Sequence, residues 1–258
     1  MTSQTNYEYR GLMAKYWDLL RGDTSTWEDR FMYLDLIQKY GQPVLDVGCA
    51  AGRLLFDYLA QGIDIDGVDI SPEMIELCVQ NAEKKNLKPN LYNQSMTELN
   101  LPRKYRTILV PSSSIQLLLK PGQPQQAMRR FHTHLEEGGA LAAPFMMLWR
   151  EGDPLDSGFE QEAQRPEDGA TIRRTGWSRY NPETRMEDTR DLWEVIKDGV
   201  MIQSEVYAQS PATLSYTQEQ ARVLFDEAGF KDVQLYSEFT FDPVKPEDML
   251  FTVVGVKP

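Results

Sequence analysis

Apolar residues recur along this chain with two different periods, and the change of period divides it. Leu12, Met13, Tyr16, Trp17 and Leu20 share helical spacing, and Phe31, Leu34, Ile37 and Gln38 repeat it less regularly after the break at GDTSTWED. From Val44 the pattern alternates between short strands and helices. Val44–Val47 reads as a buried strand, Gly48 to Gly52 as a turn, and Leu54, Leu55, Tyr58 and Leu59 as one helix face, with Gly62 suited to its C′ position. Residues 63–70 form a second strand. Ser71-Pro72 supplies an N-cap and first position for a helix striped by Ile75, Cys78, Val79 and Ala82. Strands near 90–93 and 105–111, a helix over 125–135 with Ala127, Met128 and Phe131 inward, and a strand over 140–147 complete the series. Strands alternating with helices imply right-handed crossovers and a parallel sheet.

Residues 151–215 depart from that rhythm. Arg173 to Tyr180, Arg185 to Lys197 and Val200 to Gln209 read as strands, and the Asn181-Pro182 and Asp198-Gly199 turns between them predict an antiparallel insertion of about three strands. Thr217 and Gln220 then have the spacing of a capping box opening a helix striped by Ala221, Leu224, Phe225 and Ala228. Two strands, near 233–237 and 249–256, end the chain. The fold class is α/β, a doubly wound, mostly parallel seven-stranded sheet with a small antiparallel β insertion. Residues 43–150 and 216–258 form the α/β domain, 1–42 an N-terminal helical segment, and 151–215 the insertion.

Composition narrows the function. With 258 residues, 41% of them hydrophobic, the chain buries the core of one such domain. A net charge of −12 repels polyanions, and the basic doublets Lys84-Lys85, Arg129-Arg130 and Arg173-Arg174 read as solvated faces, so no nucleic-acid partner is expected. The same charge favours a neutral or cationic substrate. Cys49 and Cys78 have no metal-ligand spacing, and no metal is expected. The N-terminus lacks a signal-peptide pattern, and the longest apolar run, Ala140 to Trp149, contains Pro144 and is too short to span a bilayer. The expectation is a cytoplasmic protein without a membrane partner.

The candidate chemistry lies in VLDVGCAAGR, residues 44–53, with Asp69 at the end of the next strand. A strand ends, glycines let the backbone bend, and a helix begins, so a ligand can approach the backbone at the carboxyl end of the sheet. A dinucleotide fingerprint would need Gly, Gly and Gly or Ala where this chain has Gly48, Ala50 and Arg53; the large cation at the third position argues against it. Asp46, Gly48, Ala50 and Gly52 instead fit acid-x-Gly-x-small-x-Gly. This resembles the first motif of the class I S-adenosylmethionine-dependent methyltransferases and implies their Rossmann-like fold. The resemblance covers residues 44–150 by motif and 216–258 by layout. It implies S-adenosyl-L-methionine as cofactor, with S-adenosyl-L-homocysteine as product, held by Tyr16, Asp46, Gly48, Cys49, Ala50, Gly52, Asp69, Ile70, Ser95, Met96 and Pro111. Asp69 falls where the ribose-binding acid lies. Ser95 stands where an acid near the adenine is common, and Ala50-Ala51 where Gly and Thr are commoner.

The methyl group of a sulfonium is already activated, so the protein mainly aligns the partners and excludes water. His132 and His134 are expected at the surface, away from the crevice, and residues 110–120 hold no Asp or Glu for a metal-assisted catechol mechanism. The catalytic residues stay open. The lack of an evident base favours an amine acceptor, and the layout of the insertion is similar to the bacterial aminosugar N,N-dimethyltransferases, in which it covers the site and helps dimerisation. That resemblance implies a small-molecule substrate and a homodimer. Ser113, Trp149, Arg150 and Tyr180 are the substrate-binding candidates. Two alternatives remain open: an O-methyltransferase with a base from Tyr16, Tyr180 or Glu187, and a non-catalytic sensor or subunit that only binds the cofactor.

Overall fold

A computed structural model of the chain describes residues 9–258; residues 1–8, the start of the expected N-terminal segment, lie outside the described residues. Two helices, α1 (Gly11–Arg21) and α2 (Glu28–Tyr40), precede the sheet. The chain then runs through β1 (Val44–Val47), α3 (Arg53–Ala60), β2 (Ile65–Asp69), α4 (Pro72–Lys84), β3 (Asn90–Asn93), β4 (Tyr105–Leu109), a 3-10 turn (Ser114–Leu117), α5 (Gln123–His134) and β5 (Leu135–Met146). Four long strands follow, β6 (Asp156–Gln164), β7 (Thr171–Asn181), β8 (Met186–Lys197) and β9 (Val200–Leu214), before α6 (Gln218–Glu227), β10 (Lys231–Ser237) and β11 (Leu250–Val256).

The expected α/β class holds. The seven-stranded sheet has the order β10-β11-β5-β4-β1-β2-β3, parallel except at β11, which is antiparallel to both neighbours. After β1 the chain steps to β2 on one side, while β4 lies on the other, so the carboxyl end of β1 is the switch point where a crevice opens. One face of the sheet packs on α5 and α6 through Phe131, Met128, Phe225 and Leu224, the other on α2, α3 and α4 through Leu36, Leu55 and Cys78. Ser71 caps α4 from its side chain, and Thr217 and Gln220 close the capping box of α6.

Near the amino ends of the strands, buried Asp66 accepts from Asn90, Arg103 and the Tyr105 hydroxyl, fixing β2 beside β3 and the start of β4. His134 corrects the expectation of a surface residue: its ring is buried, with Nε2 accepting from the Leu101 amide at 3.0 Å and Nδ1 facing the Arg130 carbonyl.

The insertion is a separate antiparallel sheet of order β6-β7-β8-β9, one strand more than expected. β6 has the sequence DSGFEQEAQ and is exposed along nearly its whole length, so it carries no alternating apolar signal. It exists because β7 offers it a continuous hydrogen-bonding edge from Ile172 to Arg179. The buried face of this sheet, with Ile172, Trp193, Val195 and Tyr207, packs on Leu12, Met13 and Tyr16 of α1. The next face of α1 reaches Ala51 and Met74 through Ala14. One helix is thus clamped between the insertion and the loop after β1.

Candidate active site

The loop after β1 takes its shape from three alternating residues in left-handed backbone: Gly48 at φ +76°, Ala50 at +47° and Gly52 at +98°. A Cβ on Gly52 would lie 2.4 Å from the Phe56 ring, so only glycine fits there. Gly48 and Cys49 both donate to the Val68 carbonyl, which bends the loop back over β2. The Ala50 amide donates to Asp69 Oδ2 at 3.0 Å, and the Ser71 amide donates to Oδ1 at 2.8 Å. A carboxylate has about four lone-pair sites, so two oxygens holding these bonds keep acceptor capacity for a ligand diol. Burial raises the pKa of Asp69, and its backbone donors oppose the rise. Ile70, beside it, is 37% exposed, an apolar side chain left at the crevice edge.

Asp46 ends β1 just before the loop. Its carboxyl is fully buried, burial pushes its pKa up to about 7 with Arg53 opposing, and its Oδ1 has no hydrogen-bond partner. A buried acceptor without a donor is costly. An ammonium group, such as that of the methionine part of S-adenosylmethionine, would satisfy it. The orphaned acceptor, the bent glycine loop and the second acid together fit that cofactor.

The remaining expected cofactor residues fall as follows. Cys49 turns its thiol inward, where hydrogen bonding to Cys78 and burial raise its pKa, and its sulfur would lie 2.9 Å from a Cβ on Gly67. Its backbone, rather than its side chain, borders the loop. The Ser95 hydroxyl bonds Thr97 Oγ1 at 2.9 Å and accepts from the Thr97 amide at 3.3 Å, so it closes its own turn. Met96 is half-buried against the core. Tyr16 lies under the insertion, its hydroxyl accepting from Arg165 at 2.6 Å, while Arg165 also pairs with Asp168. Pro111 is buried, and its carbonyl accepts from the Ser114 amide and hydroxyl.

Ser112 and Ser113 both sit at φ +55°, unusual for two successive residues with side chains. They aim the 3-10 turn so that Ser114 Oγ would lie 3.2 Å from a Cβ on Gly48. The loops after β1 and β4 therefore touch. Ser113 is buried at this junction. The Trp149 and Tyr180 rings stack at 5.7 Å, joining the end of β5 to the end of β7, and Arg150 beside them is exposed. Gln116, which no sequence pattern singles out, is fully buried: its amide donates to the Met146 and Leu214 carbonyls, and its oxygen accepts from the Met146 amide at 2.6 Å. A lone glutamine in an apolar stretch gives no signal of that role.

A cavity of about 550 Å³ lies beside the loop, between the α1–α2 turn and α3, lined by Arg21, Gly52, Arg53 and Asp57. It flanks the outer side of the loop and does not contain Asp69. Among the described residues there is no group of three or more His, Cys, Asp or Glu able to hold a metal, and no helix long and apolar enough to cross a membrane.

Residues 44–139 match the family described as methyltransferase domain. Over 145 residues the chain is 27% identical to a dTDP-3-amino-3,4,6-trideoxy-alpha-D-glucopyranose N,N-dimethyltransferase of Streptomyces venezuelae, covering 56% of this chain and 58% of that one. The chain spans about half the length of the curated relatives it matches. It superposes on a sugar N-methyltransferase from Streptoalloteichus sp with a TM-score of 0.75 at 20% identity, covering 100% of this chain and 96% of that chain. An S-adenosylmethionine-dependent methyltransferase from Clostridium acetobutylicum gives 0.73 at 16% identity, with 94% and 96% covered. Those two likenesses carry the fold across the insertion as well as the main sheet. Residues 44–139 are thus similar to a methyltransferase domain, and the chain as a whole, insertion included, shares the fold of those methyltransferase structures.

Proposed function

We propose that the protein transfers a methyl group from S-adenosyl-L-methionine to the nitrogen of a small-molecule amine. The observation that carries the cofactor is the junction of the Gly48–Gly52 loop with Asp69 through the Ala50 amide, at the switch point of the sheet. Asp46 would take the ammonium, Asp69 the ribose hydroxyls, and Ile70 and Met96 the faces of the base, with Ser95 and Pro111 at the rim. Bound there, S-adenosylmethionine supplies an activated methyl group on sulfur. An acceptor nitrogen held in line with that sulfur would take the methyl group as a new C–N bond, the C–S electrons staying on sulfur and the nitrogen's proton going to solvent.

No carboxylate or histidine stands in residues 110–120, the stretch that follows β4 towards the crevice, which suits an acceptor that attacks as a neutral amine. The stacked Trp149 and Tyr180, with Ser113 and Arg150, are the groups we assign to the acceptor side. The helical segment before β1 and the inserted sheet act as its cover, since α1 joins both to the loop. The reading includes a homodimer formed through the insertion, whose outer surface exposes Trp177 and Val206, and a cytoplasmic setting suited to the two free thiols.

Calorimetric titration with S-adenosylmethionine and S-adenosylhomocysteine tests the cofactor. We expect saturable binding that Asp69→Ala weakens about tenfold or more, roughly 1.4 kcal/mol. Absence of binding to both ligands at millimolar concentration would overturn the proposal. Turnover on an amine panel, against phenols and sugar hydroxyls, then tests the acceptor atom.

A further inference from the structure

A second cavity, of about 510 Å³, opens on the far side of the 3-10 turn from Gly48, between the Leu118–Gly122 loop, the β7–β8 hairpin and α6. Arg185 lines it from the hairpin tip. Its Nη1 is completely buried and has no hydrogen-bond partner, and Arg185 takes part in no ion pair among the described residues. Other arginines also lack a carboxylate, but Arg185 Nη1 is the one arginine nitrogen among the described residues that is buried without a partner, a costly state that a ligand oxyanion would relieve. Arg53, Arg103, Arg165 and Arg174 all pair with aspartates.

The hairpin holds this cation in place at a conformational cost. Arg185 sits at φ +58°, its amide donates to the Asn181 carbonyl, and its own carbonyl accepts from the Ser215 amide, both at 2.8 Å. The Asn181 side chain accepts from the Glu183 and Thr184 amides and fixes the turn. Tyr216 lines the same cavity, and its hydroxyl makes no hydrogen bond among the described residues. Two residues whose donors are unengaged, one of them charged, thus line one cavity. Glu219 and Glu227 also line it, and neither comes within ion-pair distance of Arg185.

We propose that this cavity is a subsite for an oxyanion, the carboxylate or phosphate group of a small molecule, held by the Arg185 fork and the Tyr216 hydroxyl. That the same molecule is the methyl acceptor rests on the reading of the preceding subsection. Geometry supports the link: the 3-10 turn starts against Gly48 and ends at the cavity wall, and four residues rising about 2.0 Å each span roughly 8 Å. A metabolite-sized acceptor bridges that distance, with its amine at the crevice and its acid in the cavity.

The test is titration of the purified protein with inorganic phosphate and with acetate at constant ionic strength, followed by calorimetry and by the thermal midpoint. Saturable binding of either anion is expected, with phosphate tighter for a phosphoryl group and acetate tighter for a carboxylate. Arg185→Gln should lose at least tenfold in affinity, Arg185→Lys should lose less, and Tyr216→Phe should weaken binding several-fold. Asp69→Ala should bind the anion as the natural protein does, so failure of the cofactor site is read separately. Without ligand, Arg185→Gln should melt no lower than the natural protein, since its guanidinium has no partner to lose. No saturable binding of either anion, or equal affinity in Arg185→Gln, overturns the proposal. So does a lowered midpoint with unchanged affinity, which would make Arg185 structural.

Discussion

The amide of Ala50 donates to the carboxylate of Asp69, joining the loop after β1 to the end of β2 across 19 residues of sequence. Asp69 therefore shapes the loop as well as offering itself to a ligand. Its second oxygen accepts from the Ser71 amide, which places it at the start of α4, where a helix N-terminus favours negative charge.

Asp69→Asn keeps the shape of the side chain but can accept through one oxygen only. We expect it to bind S-adenosylmethionine more weakly than the natural protein and more tightly than Asp69→Ala, with a loss of about 1 kcal/mol of folding stability from the amide bond that is lost. Calorimetry and denaturant unfolding on the three proteins check the order.

Ala50 holds a left-handed backbone that costs a residue with a Cβ about 1 kcal/mol. Ala50→Gly removes that strain but adds freedom to the unfolded chain. The expected net change is within about 0.5 kcal/mol of zero, whereas Ala50→Val should destabilise by about 1–2 kcal/mol because a β-branched residue resists this conformation. Urea unfolding midpoints separate the two.

Gln116 bonds both backbone groups of Met146 and the carbonyl of Leu214, so it ties β5 to the end of β9. Gln116→Ala strands the buried Met146 amide and should cost about 1–3 kcal/mol. Gln116→Glu should be worse at neutral pH, because a carboxylate would face two carbonyls. A stability scan against pH would show Gln116→Glu recovering as the pH falls.

Asp46 contributes to the pH dependence of the ligand-free protein. Burial raises its pKa from 3.8 to about 7, so the folded state holds this proton more tightly than the unfolded chain. Its contribution to stability is fully present below about pH 4 and is lost as the pH rises towards 7 and beyond. Asp46→Asn cannot lose a proton, so its stability relative to the natural protein should rise between pH 4 and 8, by at most roughly 4 kcal/mol. Saturating S-adenosylmethionine, whose ammonium would favour the charged carboxylate, should reduce that difference. Thermal midpoints across the pH range, with and without ligand, make the comparison. A difference that stays flat with pH would exclude this assignment.

The central sheet was readable because its strands are short, apolar and punctuated. Val44–Val47 is buried on every residue, Ser71-Pro72 and Thr217-x-x-Gln220 announce their helices, and the turn at Asp198-Gly199 sets the hairpin of the last insertion strands. These signals are local, and local backbone preference agrees with the tertiary structure at each. β6 was invisible because an exposed edge strand needs only a neighbour's free backbone groups. His134 was misjudged for a related reason: its burial depends on the Leu101 amide, 33 residues away.

The amino-acid sequence by itself determined the α/β order, the bent loop from Gly48 to Gly52 and the acid at Asp69, since spacing, glycine and capping act within a few residues of chain. Tertiary structure alone decided that α1 is clamped between the insertion and that loop, that Gln116 joins two distant strands, and that Arg185 is left without a counter-charge beside Tyr216. Each of these depends on which groups meet across long stretches of chain. Hydrogen bonding and charge pairing are settled by distance in space, which residue order does not specify.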